Sequence, residues 1–179
     1  MLRIIGGTFR SRQLDTPDVN TTKPTMDRVR AGIFSALSND IYNSNVLDLF
    51  AGSGSFGLES LSRGASKSTF VELNDKAFSC IQRNVGKLNV LGQVDMFKED
   101  VLSYLNRQEA NQFDIIFADP PYKLGVYGDL LDIVINKGLL KENGILVLES
   151  EQSLNITNPY FNKIKEYKYG LAHVTILRR

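Results

Sequence analysis

The chain has 179 residues, 42% hydrophobic and 23% charged, enough to bury one core and too few for two full domains with a linker. One cysteine, Cys80, excludes an internal disulfide and a cysteine-rich metal site; with a single histidine, His173, no metal centre is expected at all. The net charge of +1 conceals an asymmetry, since residues 1–30 carry +3 and residues 160–179 carry +4 around a middle of −6.

Residues 2–5, then Gly6-Gly7, then a segment through Leu14 predict a short hairpin bearing Arg3, Arg10 and Arg12. It is too small to be a domain, so residues 1–24 are an N-terminal extension of a single domain over 1–179. The turn-like residues 16–24 lead into a helix capped by Thr25 and running to about Leu37, because Pro24 stops it extending backwards. Its apolar stripe is Met26, Val29, Ile33, Ala36 and Leu37, flanked by Arg28 and Arg30. Gly32 costs about 1 kcal/mol relative to Ala, so packing must hold this helix.

Residues 46–61, VLDLFAGSGSFGLESL, are the stretch the remaining segments are arranged around. An apolar run over 46–50 stops at Gly52-Ser53-Gly54 and a helical pattern starts near Ser55, which predicts a buried strand, a glycine turn and a helix ending near Arg63-Gly64. Missing side chains at Gly52 and Gly54 let main-chain NH groups and the positive helix N-terminus touch a polar ligand. Gly52, Gly54 and Gly57 satisfy G-x-G-x-x-G, and Glu72 lies 20 residues beyond Gly52. That pattern alone does not separate NAD from S-adenosylmethionine. Asp48, near the strand's carboxyl end, suits a ligand's ammonium better than an unpaired burial.

Residues 68–73 predict a second strand and 74–89 a helix with Ala77, Ile81, Val85 and Leu88 on one face and a structural Cys80. A third strand over 94–98 is followed by Glu99-Asp100 and another helix from Asp100 to Asn106. The fourth, 113–118, runs into Asp119-Pro120-Pro121-Tyr122, where two prolines hold a carboxylate and an aromatic ring stiffly at a strand tip. A helix over 125–136, a fifth strand over 144–149, and two strands over 162–169 and 172–178 joined at Gly170-Leu171 complete the chain. The expected fold is α/β: a Rossmann-like, doubly wound, mostly parallel seven-stranded sheet with an antiparallel C-terminal strand and a small N-terminal hairpin and helix. Ligands in such sheets bind outside the carboxyl ends of the strands, where Gly52, Gly54, Glu72, Asp100 and Asp119 are all predicted to fall. The antiparallel finish and the missing substrate domain disfavour an NAD-dependent oxidoreductase.

The order LDLFAGSG, an acid closing the next strand, an acid after the third, then DPPY resembles the S-adenosylmethionine-dependent methyltransferases of nucleobase amines. RIIGG at 3–7, KPTMDRVR at 23–30, LDLFAGSGSFGLESLSRGA at 47–65 and DPPY at 119–122 extend the likeness over nearly the whole chain. It is similar to the bacterial 16S ribosomal RNA (guanine-N2)-methyltransferases of the RsmD type, a class I methyltransferase family. The resemblance implies S-adenosyl-L-methionine as cofactor and guanine 966 of 16S rRNA, in a partly or fully assembled 30S subunit, as target. It also implies roles. Asp48, Ala51, Gly52, Ser53 and Gly54 hold the methionine end, Glu72 the ribose hydroxyls and Asp100 the adenine amino group. Asp119 and the Pro120 carbonyl accept the hydrogens of the guanine amine, Pro121 stiffens the loop, and Tyr122 stacks on the extruded base. Arg3, Arg10, Arg12, Lys23, Arg28 and Arg30 are the expected phosphate contacts. No apolar run approaches about 18 residues and no secretory cleavage pattern opens the chain, so a soluble, cytoplasmic protein without membrane contact is expected. A monomer is the expected form. Adenine-N6 methylation of DNA and methylation of a protein glutamine stay open, because a similar strand-tip motif serves both.

Overall fold

The computed structural model describes residues 2–17 and 24–179, except for the side chains at 24–26 and 122. The Thr25 side chain lies outside the described residues; helix α1, Pro24–Ala36, starts two residues before the Met26 start that a Thr25 cap would set, so Thr25 falls within the helix backbone and Pro24 takes the first helical position, where a missing NH costs nothing. Strands β1 (Leu2–Arg3) and β2 (Gln13–Leu14) pair antiparallel, but over two residues each. The hairpin is shorter than expected because its long loop bonds elsewhere. Glu59 accepts from the NH groups of Ile5 and Gly6 at 2.7 and 2.8 Å, Thr8 NH donates to the Ser62 carbonyl at 2.7 Å, and Phe9 NH to Ser62 Oγ at 2.9 Å. Glu59 and Ser62 belong to α2 (Ser55–Ser62), so the N-terminal extension is bolted to the helix that follows the glycine turn.

The main sheet continues with β3 (Asn45–Leu49), β4 (Lys67–Val71), β5 (Val94–Phe97), β6 (Phe113–Ala118), β7 (Leu140–Ser150), β8 (Lys163–Tyr169) and β9 (Ala172–Arg178). Its order is β5-β4-β3-β6-β7-β9-β8, parallel from β5 to β7, with β9 antiparallel to both neighbours. Strand order reverses between β3 and β6, the crevice where a doubly wound sheet binds ligands. Alternation along the strands sends Val46, Ile115, Phe117, Ile145 and Val147 to one face, under α1, α2 and α3 (Asp75–Leu88). Leu47, Leu49, Ile116, Leu146 and Leu148 face α4 (Val101–Asn106) and α5 (Tyr127–Asn136). The result is three layers.

Three further boundaries differ from expectation by two residues or more. Strand β4 ends at Val71, two residues early, because Glu72 turns its backbone NH to Phe97 and its side chain to the glycine turn. Strand β7 starts at Leu140, four residues early, with a register shift against β6 between Phe113 and Ile115 that accommodates Asn143 at φ 61°. Helix α5 starts at Tyr127 because Gly125, at φ 64°, first closes a 3₁₀ turn over Tyr122–Leu124. Packing explains Gly32: a Cβ there would sit 2.3 Å from the Tyr169 hydroxyl, so the glycine lets α1 lie close on β8.

Candidate active site

The turn after β3 runs through the left-handed backbone region, which suits glycine and which Phe50 adopts at a cost. Phe50, Gly52 and Gly54 have φ of 56°, 58° and 77°. The three glycines of the fingerprint do different things. A Cβ on Gly52 would meet only the Phe50 carbonyl, at 3.9 Å, and so would project into open space; on Gly54 it would press Phe70 at 3.2 Å. On Gly57 it would come within 2.3 Å of both Phe70 and Ser68, so this glycine seats α2 directly on β4. Glu72 ties the turn to the next strand tip, Oε2 accepting from Gly52 NH at 2.8 Å and Oε1 from Asn74 NH at 2.8 Å.

Two adjoining hollows meet over this turn. The larger, about 660 Å³, is lined by Pro17, Phe50, Gly52, Glu72, Asn74, Asp75, Lys76, Ala77, Asp119 and Pro121. The smaller, about 170 Å³, is lined by Leu2, Thr16, Pro17, Phe50, Ala51, Gly52, Ser53, Ser55, Phe56 and Asp119. Pro17, Phe50, Gly52 and Asp119 are common to both walls, so the DPPY loop and the glycine turn stand at one end of the sheet. The aromatic stack Phe34–Phe56–Phe117 floors this region, with Phe56 and Phe117 centroids 5.0 Å apart.

Asp119 is held in an environment that resists charge: burial raises its carboxyl to about 6. Glu149, near the end of β7, is its neighbour. Ala118 and Leu148 are register partners, and Glu149 shares the face of Val147, on the α1 and α2 side. Burial first, and then the Asp119 charge, raise Glu149 to about 8. The two carboxyls titrate as a pair, and burial together with the Asp119 charge favours keeping a proton on the Glu149 side near neutral pH. Glu149, Phe50 and Pro17 were not singled out from sequence. Glu149 did carry a signal, as an acid closing a predicted strand in the same way as Glu72.

Several expected positions turn out otherwise. Asp48 lines neither hollow: it is 2% exposed, its Oδ2 accepts from Gly57 NH at 2.9 Å, and burial raises its carboxyl well above the usual range. It props α2 behind the turn. Gly54 is likewise buried behind the wall. Asp100 is exposed outside both hollows and caps α4, accepting from Ser103 NH at 2.8 Å. Ala51, Gly52, Ser53, Glu72, Asp119 and Pro121 do come together, and Pro120 is buried beneath them. The backbone of Tyr122 opens the 3₁₀ turn, while its ring lies outside the described residues.

Among the basic residues, Arg3, Arg10, Arg12 and Arg28 are exposed. Lys23 lies outside the described residues. Arg30 is no surface cation: it is 3% exposed, donates to the Arg3 carbonyl and to Asp27 Oδ1 at 3.1 Å, and lies 4.0 Å from the fully buried Glu59. Arg63 Nε completes the cluster at 2.7 Å from Glu59. Sequence position near other arginines suggested phosphate contact, but burial commits Arg30 to fastening α1 to α2. Among the described residues no His, Cys, Asp or Glu cluster is suited to a metal ion, and no helix is long and apolar enough to cross a membrane.

A sheet of this order, with a glycine turn after β3 and Asp119 after β6 sharing one crevice, defines the class I methyltransferase fold. The family described as conserved hypothetical protein 95 matches residues 2–178. Ribosomal RNA small subunit methyltransferase D of Haemophilus influenzae is 34% identical over 175 residues, covering 96% of this chain and 90% of its own. The Escherichia coli protein of that name is 35% identical over 150 residues, covering 84% and 75%. The solved structure of the candidate methyltransferase yhhF from Escherichia coli superposes with a TM-score of 0.87 at 31% identity, covering 99% of this chain and 97% of that one. The chain belongs to this family, whose curated relatives include the ribosomal RNA small subunit methyltransferases D.

Proposed function

We propose that the protein methylates the exocyclic N2 amine of a guanine in 16S rRNA, using S-adenosyl-L-methionine, with guanine 966 as the target the family likeness implies. The observation that carries this reading is one crevice walled by Gly52, Glu72 and Asp119. The residues fit the cofactor: Gly52 offers backbone with no side chain in the way, and both Glu72 oxygens are pre-oriented by main-chain NH groups with lone pairs left for two ribose hydroxyls. When bound, S-adenosylmethionine supplies an electrophilic methyl on a sulfonium. Ala51, Gly52 and Ser53 cradle its methionine end, backed by Gly54, while Asp48 acts through Gly57 and not on the ammonium. Asp100 keeps the adenine role by family likeness only, since its Oδ1 is engaged as a cap.

A guanine N2 is a poor nucleophile because its lone pair is delocalised into the ring. Asp119 and the Pro120 carbonyl accept its two hydrogens, pulling the nitrogen towards tetrahedral geometry and aiming the lone pair at the methyl. Pro120 and Pro121 fix the backbone so that both acceptors hold still. Asp119 then takes the released proton, a step its raised basicity favours. Tyr122 stacks on the extruded base, worth about 1–3 kcal/mol. Arg3, Arg10, Arg12, Arg28 and Lys23 provide phosphate anchoring from a single domain over 1–179 whose first 24 residues are the RNA-facing extension. Partly assembled 30S subunits are the substrate and a cytoplasmic monomer the working form. Incubation with labelled S-adenosylmethionine and 30S subunits, protein-free 16S RNA, DNA and peptides tests this: label in the subunit RNA supports it, and label confined to DNA or peptide removes it.

A further inference from the structure

Helix α1 and strand β8 wall a second cleft, of about 450 Å³, lined by Ala36, Lys163, Lys165, Tyr167, Ile176 and Arg178. Strand alternation puts positions 163, 165, 167 and 169 on one face of β8. The Tyr167 and Tyr169 rings stack with centroids 6.4 Å apart and planes within 20°. Tyr169 fills the gap left by Gly32, and Arg28 stands one helical turn before Gly32 as Ala36 stands one turn after it. The face of α1 beside the stripe thus ends in an exposed guanidinium. From Lys163 to Tyr169 the stripe runs about 20 Å. Its Tyr169 end reaches the rim that holds Asp119, since Tyr169 pairs with Ala172 and the next residue, His173, pairs with Ser150 at the tip of β7.

The charge is uncompensated. Lys67, Lys87, Lys98 and Lys141 each pair with a carboxylate, whereas among the described residues Lys163, Lys165 and Arg28 do not. Nearby acids are committed elsewhere: Asp40 to Arg178 at 2.8 Å, and Glu166, on the opposite face of β8, to Ser153 and His173. Lysines on an edge strand deter strand pairing. That role needs neither a stacked tyrosine pair between the cations nor a helix walling them into a groove.

We propose that this stripe binds a single-stranded stretch of ribosomal RNA adjoining the target base, with Lys163, Lys165 and Arg28 on phosphates and the tyrosine pair against bases. The assignment rests on the methyltransferase reading for its choice of RNA. The test compares the native chain with a Lys163→Glu, Lys165→Glu double variant, whose altered side chains are exposed. Anisotropy with a labelled single-stranded RNA of about 12 nucleotides reads binding, and methyl transfer to 30S subunits reads KM against kcat. Expected are a Kd and a KM for RNA raised at least ~10-fold, a shallower salt dependence by about 1.4 log units per log unit, and unchanged kcat and cofactor affinity. Equal oligonucleotide affinity in both proteins overturns the proposal. So does an unchanged oligonucleotide affinity with weakened subunit binding, which would mark a contact with ribosomal protein. Lysine-dependent RNA binding by a native chain that methylates no substrate would sustain the stripe while defeating the methyltransferase reading, so the two failures are distinct.

Discussion

Asp119 and Glu149 are two carboxyls on neighbouring strand tips, both made more basic by burial, Glu149 further so by the Asp119 charge. In the proposed mechanism Asp119 accepts the amine's hydrogens as a carboxylate, so turnover should rise with pH through about 6 and level off above it. Asp119→Ala should lower the rate by ~10²–10⁴ with cofactor affinity nearly intact, measured by single-turnover transfer and calorimetry. Full turnover would remove Asp119 from the chemistry. Glu72→Ala should weaken cofactor binding about 10- to 100-fold, since it loses hydrogen bonds to a charged acceptor of about 1.5–3 kcal/mol each. For Glu149 the sign is fixed by linkage. Its folded pKa is raised from 4.5 to about 8, so the folded state binds the proton more tightly and stability falls as pH climbs through that window. Glu149→Gln should therefore melt increasingly above the native chain as pH is raised from 5 to 8. A melting difference that stays flat with pH would contradict the buried, protonated assignment.

At the level of elements, the strand–turn–helix unit of β3 and α2 is braced on both sides. Gly57→Ala should destabilise the fold by about 1–3 kcal/mol in chemical denaturation, because its Cβ has nowhere to go between Phe70 and Ser68. A variant as stable as the native chain would mean that α2 can lift off β4. The sequence made this unit legible because glycines, prolines and apolar runs act locally: Gly52, Gly64 and Asp119-Pro120 mark their turns without help from distant residues. Arg30 and Asp48 were not legible in the same way. Whether an arginine contacts solvent or a buried Glu59, or an acid faces a ligand or Gly57 NH, is decided by residues 29 and nine positions away, which pattern alone does not connect. The short hairpin has the same long-range origin, in bonds to Ser62, whereas the late start of α5 comes from the local conformation of Gly125.

Across the whole molecule, the N-terminal extension, the glycine turn and the DPPY loop form one wall, since Leu2, Thr16 and Pro17 line the smaller hollow with Ser53 and Asp119. The extension is thus part of the wall of the site itself. The seven strands, their mostly parallel sheet and the antiparallel finish were readable from alternating elements, whereas the order β5-β4-β3-β6-β7-β9-β8 depends on long-range pairing. The central claim is methylation of a guanine N2 in 16S rRNA, and nucleoside mapping of 16S RNA from cells lacking this protein tests it most directly. One N2-methylguanosine should disappear at the position numbered 966 and return when the native chain, but not the Asp119→Ala variant, is restored. An unaltered set of methylated guanosines would contradict the account.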